Sequence, residues 1–143
     1  MDIINEELTE FKKHHKNQKN IWFHILCGFV FMSALFLLLG NYIEQGYLYF
    51  IIGYILLLSV FIQSITTIVV IFIGCLIITT YMKMFDKRYW IYIAVIFYFL
   101  PELSHILTGE KTVLQLSTMN LQKVITNILF LLPFSILSLS DAK

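Results

Sequence analysis

The chain has 143 residues, 59% of them hydrophobic and 13% charged, with a formal net charge of +1. This is membrane composition: between Ile21 and Met82 the one charged residue is Glu44, which leaves no charge with which to surface a water-soluble domain. Near-neutral charge without a long Lys/Arg block argues against nucleic acid as a partner, and Cys27 and Cys75, both inside apolar runs, read as small hydrophobes and not as a disulfide or a cysteine-rich metal site.

The first predicted element precedes the apolar runs. Ile4, Leu8, Phe11 and His15 recur at four, three and four residues and share one face of a helix whose other positions include Glu6, Glu7, Glu10, Lys12 and Lys13. An interfacial amphipathic helix over 1–19 follows, with His15 at its apolar edge, His14 a solvated neighbour, and Lys12, Lys13, Lys16 and Lys19 beside anionic headgroups.

About 20 apolar residues cross a bilayer. Five runs approach that length, at 21–40, 46–62, 66–82, 89–107 and 121–139, which predicts an all-α, polytopic helical bundle forming one membrane domain over 1–143. The first run follows a polar arm and has no small-residue cleavage site after it, so it reads as a retained span with Asn20 as N-cap and Gly40-Asn41 as its C-terminal stop. Gln63, Ser64, Thr66 and Thr67 are the break between the second and third runs, which suits a tight helical hairpin. Tyr and Trp near the run ends, among them Trp22, Tyr42, Tyr89 and Trp90, read as an aromatic belt, and Lys111 and Lys123 as loop and headgroup charges. The lysine-rich N-terminus favours a cytosolic start, whereas five crossings put Lys83, Lys87 and Arg88 on the opposite side. Five crossings also bring His105 level with His15 and His24. An endoplasmic reticulum membrane in a eukaryote and an inner membrane in a bacterium both fit.

Ionisable groups in apolar segments are expensive, so the histidines are where function is sought. His15 and His24 are nine residues apart and converge only if the chain bends within 16–20; Asn20, four before His24, then shares its face and can orient it. In the fourth run Pro101 should kink the helix, Glu102 and His105 lie three apart on one face, and Glu110 follows past a helix end at Gly109. Histidines with a carboxylate suit Fe(II), and also Zn or Mn. The structural alternative is that each histidine bonds a carbonyl or serine on a neighbouring helix. No His-Glu-x-x-His, desaturase-type histidine boxes, Gly-x-Ser-x-Gly or phosphate loop occurs in the chain.

The stretch from Phe11 to His24 resembles the N-terminal signature of the 2-hydroxy fatty acid dioxygenase family of the phytosphingosine-degradation α-oxidation pathway: a histidine, an asparagine five residues on and a histidine four further, here His15, Asn20 and His24. His105, Glu110 and the last apolar run are similar to the family's second signature. Glu102 in the approach to His105, and an extra residue between His105 and Glu110, are departures from it. The resemblance implies a membrane Fe(II)-dependent dioxygenase that converts a long-chain 2-hydroxy fatty acid and O2 into the acid one carbon shorter, CO2 and water. On that reading His15, His24 and His105 are metal ligands, Glu110 or Glu102 is a fourth ligand or proton acceptor, Asn20 supports the ligands from behind, and Lys16 or Lys19 meets the substrate carboxylate. Two other readings stand beside it: a non-enzymatic membrane protein that binds lipid or a partner, and a Zn-dependent membrane lipid hydrolase.

Overall fold

The computed structural model describes residues 2–110 and 121–139. Lys111 lies outside them. All regular structure among the described residues is helical: α1 (Asp2–His14), α2 (Gln18–Gly40), α3 (Gly46–Phe61), α4 (Ile65–Met82), a short 3-10 turn (Lys87–Tyr89), α5 (Trp90–Thr108) and α6 (Leu121–Leu139). These are the amphipathic arm and the five apolar runs, within a few residues of their expected bounds. Of the apolar helices, α2, α4 and α5 with the 3-10 turn are long and apolar enough to cross a membrane, while α3 and the Lys123–Leu139 stretch of α6 are apolar but shorter.

The chain divides into two compact units, residues 27–98 and the described parts of 1–26 and 99–143. In the 27–98 unit, α3 and α4 form the expected hairpin across Ile62, Gln63 and Ser64. Ser64 caps α4, its Oγ accepting from the Thr67 N–H at 3.3 Å and the Thr67 hydroxyl at 2.9 Å. Phe36 packs on Tyr54 and Phe31 on Tyr98, with ring centroids 5.6 and 5.3 Å apart. A Cβ at Gly40 would strike the backbone of Gly46 and Tyr47, so this glycine is what lets α2 and the start of α3 approach closely. Large aliphatic side chains inside the helices are left uncovered, Leu56, Val69, Ile73 and Ile77 among them. A helix apolar all round with so much of it uncovered fits hydrocarbon surroundings.

In the other unit, α1 packs against α6, Phe11 meeting Phe134 with centroids 6.0 Å apart. After α1 the chain turns at His15 to Asn17 and enters the first turns of α2. The capping residue there is Asn17, whose Oδ1 accepts the Lys19 N–H at 2.9 Å, and α2 begins at Gln18. This corrects the expectation of Asn20 as N-cap: Asn20 lies within the first turn of the helix, fully buried, with its side chain taken up elsewhere. The last turns of α5 run on through Pro101 to Thr108. Gly109 then takes a left-handed φ of 70° and the Glu110 N–H bonds the His105 carbonyl at 3.1 Å, the long-range bond of a Schellman stop.

Candidate metal centre

The three histidines come from three helix ends. His15 follows the last turn of α1, His24 lies in the second turn of α2, and His105 is in the last turn of α5. All are buried, and one ring nitrogen of each lies within 4.8 Å of the others. The rings stand nearly perpendicular in pairs, with centroids 4.5 Å (His15 to His24), 4.6 Å (His15 to His105) and 5.0 Å (His24 to His105) apart.

The hydrogen bonds fix two of the tautomers. His15 Nδ1 lies 2.8 Å from the Phe11 carbonyl and His24 Nδ1 2.9 Å from the Asn20 carbonyl. A carbonyl only accepts, so both Nδ1 atoms carry the proton and both Nε2 atoms present a lone pair. Those two lone pairs face each other at 3.2 Å. No proton is available between them in the neutral rings, and burial, then the nearby His24, holds His15 well below its ordinary range, so protonation is opposed. A metal resolves the conflict: with metal–nitrogen bonds of about 2.0–2.1 Å, neighbouring ligand nitrogens sit roughly 3.0–3.4 Å apart. His15 and His24 already have that spacing. The third ring adds a buried Nε2 without a hydrogen-bond partner among the described residues. The donor set therefore fits a metal ion.

Phe11 closes one side, stacked on His15 at 3.7 Å with the ring planes 7° apart. Behind the rings lies a polar hub. The Asn20 amide faces His105 Nδ1 at 3.3 Å, its nitrogen donates to Glu110 Oε2, and its oxygen meets the Ser104 hydroxyl. Glu110 Oε1 accepts the N–H groups of Lys16 and Asn17 at 2.7 and 2.8 Å. Burial raises the Glu110 carboxyl, but the Asn20 amide, these two N–H groups and His105 together hold it below its ordinary range.

The structure thus brings together His15, His24, His105, Asn20 and Glu110. Asn20 orients His24, as the spacing suggested, but through its backbone carbonyl, while its side chain serves His105. Among the described residues neither Glu110 nor Glu102 joins the group of converging ligand atoms; Glu102 is half-buried on α5. Lys16 and Lys19 have exposed side chains, and Lys16 enters the site through its backbone N–H. His14 pairs with Glu10 at 3.1 Å and is not one of the converging ligands. Sequence reasoning missed Ser104 and Asn17. A helix start at Gln18 could have been read from Asn17, whereas Ser104 meets Asn20 across 84 positions and leaves no local signal.

Fold and site define a helical protein with membrane-type spans and a buried tris-histidine centre that could hold a metal ion. No protein-family model, curated protein or solved structure matches the chain.

Proposed function

We propose that the chain is a membrane Fe(II)-dependent dioxygenase acting on long-chain 2-hydroxy fatty acids. The observation that carries the reading is the convergence of three buried imidazoles, two of which have their Nδ1 protons committed to backbone carbonyls and can only offer lone pairs to the centre. The order His15, Asn20, His24, His105, Glu110 in the resembled family adds the substrate. The overall change balances: R–CH(OH)–COOH and O2 give R–COOH, CO2 and H2O, with no further reductant. Bound Fe(II) would supply the chemistry with O2.

The chain's own residues have these parts. His15, His24 and His105 hold the ion, and Phe11 keeps water off His15. Lys16, exposed on the turn beside His15, and Lys19, exposed in the first turn of α2, meet the substrate carboxylate at the membrane surface. Glu110 is the proton acceptor for the 2-hydroxyl, while Glu102 stands apart from the trio. The exposed aliphatic helix faces suit an acyl chain arriving from lipid. We further assign five crossings with a cytosolic N-terminus, in the endoplasmic reticulum of a eukaryote or the inner membrane of a bacterium.

The test is anaerobic metal analysis of the detergent-purified protein beside His24→Ala and His105→Ala, followed by turnover of 2-hydroxypalmitate. Near-stoichiometric iron, lost in both variants, with one O2 consumed per CO2 released, is the expected result. Zinc lost in the same way with no O2 uptake would favour a lipid hydrolase. No metal in any form would leave a lipid- or partner-binding protein.

A further inference from the structure

The hydrogen bonds around Asn20 do not close in either orientation of its amide, and the way they fail points to a role. With the nitrogen toward Glu110, Asn20 donates to Glu110 Oε2 and to His105 Nδ1. His105 must then carry its proton on Nε2, the buried ring nitrogen that has no hydrogen-bond partner among the described residues. Ser104 is also overdrawn, because its single hydroxyl proton is wanted by Asn20 Oδ1 and by the Pro101 carbonyl at 2.6 Å. With the amide reversed, Ser104 donates to Pro101 and accepts from Asn20. His105 Nδ1–H donates to the Asn20 oxygen, and Nε2 offers a lone pair like its two neighbours. The conflict then moves to Glu110, whose Oε2 faces an amide oxygen.

A neutral histidine that binds a metal through Nε2 must have its proton on Nδ1. We infer that Asn20 is a positioning residue that sets the His105 tautomer: a bound metal selects the amide orientation with oxygen on His105, and Glu110 competes by favouring nitrogen toward itself. This rests on the metal-holding half of the reading above and not on its substrate. Glu110 keeps its hold on the Lys16 and Asn17 N–H groups in both states, while its Oε2 gives up a donor when metal binds. It is a competitor of metal loading and not a ligand.

The consequence runs against intuition. Glu110→Gln replaces the competing acceptor with an amide that can donate to the Asn20 oxygen, so it should bind metal several-fold more tightly than the unaltered chain. Loss of a fourth ligand would instead weaken binding. Asn20→Ala should weaken it about 10- to 100-fold, the usual effect of removing a group that orients a ligand. Asn20→Asp combined with Glu110→Gln exchanges amide and carboxylate; the carboxylate at position 20 then accepts from His105 Nδ1–H and from the new amide at position 110, and only the Ser104 proton stays contested by the Pro101 carbonyl, so affinity should return to about that of the unaltered chain.

Affinity is read by anaerobic chelator competition with Fe(II) and separately with Zn(II), after helicity and gel-filtration profiles show each variant folded. A second readout needs no variant: 15N shifts of the His105 ring should report Nε2–H without metal and Nδ1–H with Zn(II). Weaker binding by both Glu110→Gln and the double variant would overturn the inference, as would an Nδ1–H ring in both states. Metal bound as expected with no turnover of 2-hydroxypalmitate would sink the dioxygenase and leave this inference standing. Tight metal binding and turnover with an insensitive His105 tautomer would do the reverse.

Discussion

His15 shows how a single polar ring is made tolerable in an apolar unit. Its Nδ1–H is satisfied within its own turn by Phe11, its face is covered by the same residue, and only Nε2 is left to the site. That arrangement has a pH signature. His15 is held below its ordinary 6.5 and Glu110 below its ordinary 4.5, so beneath those values the unfolded chain takes up protons that the folded chain refuses. Stability is therefore fully present above the ordinary values and is lost as pH falls. The thermal midpoint of metal-free protein in detergent should be level above pH 6.5, decline below it, and decline further below 4.5. A midpoint that rises on acidification would contradict the burial of a neutral His15. The histidines themselves were legible because imidazole is conspicuous in an apolar run. Ser104 was not, since serine is common in apolar helices and its meaning here comes only from Asn20.

At the scale of elements, helix ends do the positioning. The stop of α5 delivers Glu110 to the start of α2, and it depends on Gly109 being left-handed. A Cβ there would meet nothing within 4 Å, so Gly109→Ala should carry only the backbone penalty, roughly 1–2 kcal/mol. Calorimetry or thermal circular dichroism should find that loss with metal stoichiometry unchanged; an effect near zero would mean that the stop is not formed. The apolar runs gave the helices to within a few residues because length and hydropathy decide them. Which asparagine caps α2 was misread, because Asn17 and Asn20 have equal capping propensity and only tertiary contacts draw Asn20 inward.

For the whole molecule, the decisive question is what solvent surrounds the helices. Ile73, midway along α4, is 50% exposed. In hydrocarbon, Ile73→Lys should disfavour insertion by about 2.5–3.5 kcal/mol. In water the same change at a half-exposed position would be close to neutral. Carbonate extraction and fractionation of the expressed variant should therefore find less protein in the membrane pellet, and an unchanged, extractable protein would remove the membrane reading. The count of crossings was not legible from charge, because the lysines at the N-terminus and those at 83–88 pull in opposite directions. The structure adds a parity condition: the Lys16 and Asn17 N–H groups touch Glu110, so the chain between them leaves and returns to one side of any bilayer it crosses. If α2 and α5 cross, α3 and α4 then cross as a pair or not at all.

The same contact has a consequence for biosynthesis. Lys16 and Glu110 are 94 positions apart, and His105 stands only five positions before that carboxylate. A chain made from its N-terminus exposes His15 and His24 long before their third partner exists. Until position 110 has left the ribosome there is no enclosed centre, only two imidazoles facing one another. The centre that could hold a metal ion is in this way completed late, only once the helices between are in place, and a nascent chain stalled before α5 lacks it.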